Sequence, residues 1–170
     1  MGLKDWPSAG FPGTALNPDT LLPEVVDETA CAEALKLSED AGDAIFVLLA
    51  RGLTNEAAEA VAHARLEDPA SIRLQVLDAD VLRASKHFVR AEKLLKALLP
   101  EVSATPLEPW VFQQLGKVYF SNGQFVAAAQ KFATALELRV AAGADATAIY
   151  SSTVSLKRAL DLAEQTEDFK

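Results

Sequence analysis

The chain has 170 residues and a formal net charge of −8; half of its residues are hydrophobic and only one, Cys31, is a cysteine. That excludes an internal disulfide, disfavours nucleic-acid phosphate, which an acidic surface repels, and leaves enough apolar material for one buried core. No apolar run approaches the roughly 18 residues needed to cross a bilayer, and Lys4 and Asp5 stand near the N-terminus without an apolar signal core, so a cytoplasmic protein without membrane or nucleic-acid partners is expected.

Residues 1–22 contain Pro7, Pro12, Pro18, Gly2, Gly10 and Gly13, too many breakers for a helix, and predict an irregular arm. The arm also holds Trp6 and Phe11, which a purely solvating tail does not need. Residues 23–170 read as one helical domain. Pro23 suits a first helical turn, so a helix is expected over about 24–37, with Val26, Ala30, Ala34 and Leu37 on one side. Further helices are predicted near 40–51, 55–67, 70–84, 88–99, 109–121 and 125–141. Gly143 ends the last of these, and Asp145 reads as the N-cap of a closing helix over about 146–166.

An internal echo organises these helices. Ala57, Val61 and Ala64 return 34 positions later as Ala91, Leu95 and Leu98, and again 37 positions further on as Ala128, Phe132 and Ala135. A period in this range marks stacked units that bury their apolar faces against their neighbours. In the third unit, Phe112, Leu115 and Tyr119 form one helical stripe and Phe125, Ala128, Phe132 and Ala135 the matching stripe on the next helix. Asn122-Gly123 is the turn between them. Gly116 costs about 1 kcal/mol inside a helix, which a close approach by the partner helix backbone explains, with Ala128 as the small residue opposite. In the second unit Asp78-Ala79 replaces the Leu-Gly pair and Lys86-His87 the turn pair. In the first, Ile45 and Leu48 stand at the Gly116 and Tyr119 places, Gly52 supplies the turn and Pro69 closes the unit.

The pattern Phe112-x-x-Leu115-Gly116-x-x-Tyr119 with Ala128, Phe132 and Ala135 resembles the tetratricopeptide repeat, clearly in the third unit and in degenerate form in the first two. The resemblance implies an all-α fold of antiparallel helical hairpins stacked as a short right-handed superhelix, with repeats at about 38–71, 72–105 and 109–142 and a capping helix at about 145–167. It also implies that the first helix of each hairpin lines a concave groove where peptides or helices dock. The residues expected there are Glu39, Asp43, Phe46 and Leu49, then Arg73, Val76, Leu77, Asp80 and Arg83, then Trp110, Gln113, Gln114, Lys117 and Phe120. Trp110 lies two residues before Phe112, so it faces away from the core that Phe112 enters; it lines the groove or packs under Leu107 and the Pro-rich insertion of 100–109. The carboxylate clamp found in some members of the family is absent, since its places hold Gly42, Phe46, Leu77, Trp110 and Gln114.

Candidates for chemistry are few. Glu59, His63 and Glu67 share one helix face without a second cluster, and no metal site is expected there. Asp78 and Asp80 point to different sides of their helix, and no phosphate loop or nucleophile elbow is present. Cys31 reads as a small packing residue. Arg83, Lys86, His87, Arg90, Lys93 and Lys96 are spaced as the solvent-facing side of a repeat. The expected function is therefore a non-catalytic protein-protein interaction module, without cofactor, that binds a peptide or helix of a partner in its groove. Arginine and lysine among aromatics there suit an apolar segment with acidic flanks. The alternative is a self-associating module, a homo-oligomer, in which the N-terminal arm or a neighbouring copy fills the groove.

Overall fold

The computed structural model describes residues 2–167; position 1 of the predicted arm and positions 168–170 of the predicted domain lie outside the described residues. A 3-10 turn (Leu3–Asp5) leads to a two-stranded antiparallel ribbon, β1 (Thr14–Leu16) and β2 (Pro23–Val25). Eight helices follow: α1 (Glu28–Leu37), α2 (Ala41–Ala50), α3 (Thr54–Glu67), α4 (Ile72–Ala84), α5 (Phe88–Val102), α6 (Glu108–Ser121), α7 (Phe125–Ala141) and α8 (Ala146–Glu167). The fold is all-α apart from the ribbon, a stack of helical hairpins in which α2–α3, α4–α5 and α6–α7 are the pairs and α8 closes the row against α7.

The echoed residues are the contacts that hold the hairpins together. Ala57, Ala91 and Ala128 are all fully buried, and so are Leu95, Leu98, Phe132 and Ala135. An alanine at each crossing lets two helices approach closely while the larger residue one turn later fills the space beside it. Gly116 meets a different neighbour from the one its sequence position suggests. A Cβ there would stand 2.5 Å from Cε1 of Phe132, so the missing side chain makes room for a ring rather than for a helix backbone. Phe132 can be large because Gly116 is not.

The hairpin turns share one geometry. Gly52, Lys86 and Gly123 all have positive φ, of 74°, 62° and 73°, and each donates its N–H back to the third residue before it. Lys86 alone is therefore the counterpart of Gly123, rather than Lys86 and His87 together replacing the pair Asn122-Gly123. Gly143 ends α7 in the same way, and Asp145 Oδ1 accepts from the Ala148 N–H at 2.9 Å as the expected cap of α8. Helix α5 runs through Pro100 to Val102, three residues beyond the predicted end, because Pro100 is solvent-exposed and Val102 is anchored in the core.

The N-terminal region departs most from expectation. Pro23 does not begin a helix: it pairs with Leu16 in the ribbon, and α1 starts five residues later, capped by Asp27, whose Oδ1 accepts from the Ala30 N–H. The ribbon is fastened to that cap through Gly13. Its φ is +74°, its carbonyl accepts from the N–H groups of Val26 and Asp27, and a Cβ would collide with the Asp27 carbonyl and with Cys31. Only glycine meets both the backbone and the space requirement. Cys31 is fully buried beside Phe11 and Val47, where burial pushes its thiol pKa up; it packs and carries no exposed thiol.

Candidate functional site

The first helices of the hairpins turn one side towards the N-terminal segment, and that segment covers it. Its apolar side chains enter the cores of the hairpins. Leu16 and Leu21 belong to the main cluster with Val76, Ala79, Leu95, Leu115 and Phe120, and Phe11 lies 6.5 Å from the ring of Phe46, centroid to centroid. Burying side chains of this size contributes about 1.5–3 kcal/mol each. At its far end the segment reaches α8, where the Tyr150 hydroxyl donates to the Asp5 carbonyl at 2.7 Å and Arg158 pairs with Asp19 at 3.2 Å.

A tight turn makes this insertion possible. The Asn17 side chain accepts from the Asp19 N–H and donates to Glu24, while the Leu21 N–H donates to the Asn17 carbonyl. Leu21 is thereby held at φ 54°, in the left-handed region that costs a residue with a Cβ of order 1–2 kcal/mol. The strained residue is fully buried, and its carbonyl accepts from Nη1 of Arg83 at 3.0 Å. Arg83 is only 2% exposed and is not on the solvent face where the basic run of the sequence placed it. It sees Asp80 at 3.6 Å and the Ser121 hydroxyl at 3.4 Å, and burial depresses its pKa against the opposing pull of Asp80.

The other residues expected in the groove are divided between this face and the interior. Phe46, Arg73, Leu77, Asp80, Arg83, Trp110, Gln114 and Lys117 converge with the segment's Phe11 and Leu16 around one cavity of about 180 Å³. Arg73 is tied to Asp40 and Asp43; burial raises the Asp43 carboxyl, but bonds from Ser38 and Arg73 outweigh it and hold the pKa below the usual value. Asp80 accepts from Gln114 Nε2. Leu49 belongs to the core between α2, α3 and α4, Val76 is fully buried, and Phe120 is 5% exposed with its ring edge-on to Phe125 at 5.4 Å. Gln113 faces α8, where its amide donates to Ser155 and accepts from Ser152. Trp110 is half-buried between two environments. It lines the space under the segment and also an open apolar pocket beside Pro106, Pro109 and Leu138.

Lys117 is the unusual group on this face. Among the described residues no carboxylate lies within ion-pair distance of it and no hydrogen bond reaches its ammonium. Desolvation lowers its pKa to about 8; Asp80 works against this, and Arg83 and Arg139 add to it. Leu16 and Leu21 are the members of this face that the sequence reading passed over. Their signal was present as leucines on either side of Asn17-Pro18-Asp19, a turn sequence between apolar residues. His63 and Glu67 form an exposed pair at 3.5 Å, remote from this face.

No protein-family model matches the chain, and no curated protein or solved structure matches it either.

Proposed function

We propose that this chain is a non-catalytic protein-interaction module of the tetratricopeptide kind whose first-helix face takes an apolar segment with acidic flanks. The observation that carries this reading is the buried Arg83 guanidinium donating to the Leu21 main-chain carbonyl. A side-chain bond to a backbone carbonyl grips a segment whatever its sequence, here at the tight turn that carries Leu21, and apolar pockets on either side then select leucine-sized residues. The chain's own N-terminal segment fits that description: Phe11, Leu16 and Leu21 are its apolar anchors, with Asp5, Asp19 and Glu24 around them. In this reading the segment is the resident occupant of the face, and a partner or second copy offers a segment of the same chemistry.

The test uses a protease site placed between Val26 and Asp27, at the exposed junction of ribbon and α1. After cleavage, a fluorescent peptide of residues 2–25 is added to the folded protein. Exchange of the labelled peptide for the cleaved segment, blocked by Leu21→Glu in the peptide, is the expected result. A cleaved protein that stays folded yet never takes up the peptide would end the proposal and leave the segment as permanent core. If uncut protein sediments as a dimer that Leu21→Glu dissociates, the occupant comes from a second copy.

A further inference from the structure

Two cavities lie side by side beneath residues 8–11 and share Ala9, Gly10, Leu16, Trp110, Gln114 and Lys117 as walls; their volumes are about 180 and 250 Å³. The roof, supplied by the N-terminal segment, carries no ionisable side chain into them. The floor is cationic. Arg73, Asp80 and Arg83 come from α4, Lys117 from α6, Arg139 from α7 and Asp145 from the turn before α8. Most of these charges are already engaged: Arg73 with Asp40 and Asp43, Arg83 with the Leu21 carbonyl and, at 3.6 Å and without a hydrogen bond from its Nε, with Asp80, and Asp145 with the N-terminus of α8. Arg139 donates to the Ala148 carbonyl and the Ser152 hydroxyl. Lys117 is left without a partner among the described residues.

A second observation comes from Gln114. The residue is 4% exposed, its Nε2 donates to Asp80, and its Oε1 is buried without any donor. An orphaned buried acceptor and a half-buried cation without a partner among the described residues stand one helical turn apart on α6 and line the same two cavities; the acceptor carries a desolvation cost that nothing in the fold offsets. Trp110, one turn before Gln114, gives the site a flat apolar wall.

We propose that these cavities bind a small organic acid, its carboxylate on Lys117, a hydroxyl or N–H of the same molecule donating to Gln114 Oε1, and its apolar part against Trp110. The three demands make the ligand specific in kind: an anion without a donor leaves Gln114 unsatisfied, and a neutral molecule leaves Lys117 unpaired. Because the roof is the N-terminal segment, the bound acid also holds that segment down. This site has its charged floor on α6 and its neighbours and needs the segment seated as its roof, but it does not require that the segment exchange with a partner.

The experiment titrates the full-length chain at pH 7 with lactate, benzoate and 4-hydroxybenzoate, and with 4-hydroxybenzamide as the uncharged counterpart, following backbone and Gln114 side-chain amide signals by NMR. Lys117→Met is the variant, chosen because it removes a half-buried unpaired charge and keeps most of the apolar stem, so it is expected to fold at least as firmly as the parent. The expected result is saturable binding of an acid that also carries a hydroxyl, weakened about tenfold or more by Lys117→Met and by exchange of carboxylate for carboxamide. Binding also declines as pH is raised through 8 and Lys117 loses its proton. No saturable binding by any of the acids, equal affinity for acid and amide, or equal affinity in Lys117→Met would overturn the proposal; the cavities then hold water only.

Discussion

Lys86 occupies a backbone position that its two counterparts, Gly52 and Gly123, fill with glycine. Its left-handed conformation strains the turn between α4 and α5, so Lys86→Gly is expected to raise stability by about 0.5–1 kcal/mol, read from the urea midpoint. Gly116 has the opposite sensitivity. Gly116→Leu drives a side chain into the ring of Phe132 and should lower stability by about 1–3 kcal/mol or more; an unchanged melting curve would mean that the helices do not cross there. Lys117 supplies a pH signature. Its folded-state pKa of about 8 lies below the ordinary lysine value near 10.4, so between those pH values the unfolded chain binds more protons than the native one. Stability conferred through this group is therefore lowest below pH 8 and rises with pH up to about 10.4. Burial raises the pKa of Tyr119, seconded by its bond to Glu92, and this works in the opposite sense at the alkaline end. The Lys117 contribution is thus isolated as the difference between wild type and Lys117→Met in denaturation midpoints measured from pH 7 to 10, and that difference should shrink as pH rises.

Helices α2 to α8 were legible because each has a strong local signature. Periodic alanine and leucine mark the buried stripe, glycine marks three of the turns, and Asp145 marks a cap. The ribbon and the true start of α1 were not legible, because β1 and β2 are three residues each and owe their existence to what they lie on. Pro23 has no N–H to give a ladder or a helix interior, so its sequence position fits a first helical turn and an edge strand equally. The candidate face was half-read for the same reason. Register alone brings Phe46, Leu77, Asp80, Arg83 and Trp110 to one side, but register cannot reveal that Phe120 packs on Phe125 or that Gln113 is claimed by α8. Arg83 also looked like a solvated cation and is instead the buried link between α4 and the N-terminal turn. Arg83→Met should cost about 3 kcal/mol or more, since it strands Asp80 and the Leu21 carbonyl. Amide exchange of residues 14–25 is expected to accelerate more than that of α6 and α7. Equal acceleration everywhere would show that Arg83 acts on global stability and not on the ribbon.

At the scale of the whole molecule, the N-terminal segment acts as a strap from α1 to α8, laid across the first helices. Removing residues 2–25 uncovers Phe46 and Leu77 and takes Leu16 and Leu21 out of the main core. The truncated chain should therefore bind a hydrophobic dye and melt at lower temperature while retaining most of its far-ultraviolet helical signal. A truncated chain that melts with the parent and binds no dye would mean that the helices close over the gap unaided. Helix α4 packs on both α2 and α6, and α6 bonds to α8 through Gln113 and Ser155, so this test also measures how far the hairpin stack is self-sufficient.

The bond from Tyr150 to the Asp5 carbonyl joins positions 145 apart, the longest separation that a hydrogen bond or ion pair closes among the described residues. Contacts between sequence neighbours form early in folding, and those that must first gather a long stretch of chain form late. The hairpins are local and can assemble as they leave the ribosome, whereas the segment that leaves first has no complete seat until α8, the last helix, has followed. Leu16 and Leu21 are thus synthesised before every helix that they pack against and are expected among the latest side chains to be buried. Until α8 has been made, the apolar segment and the face that it covers both lack their full set of contacts.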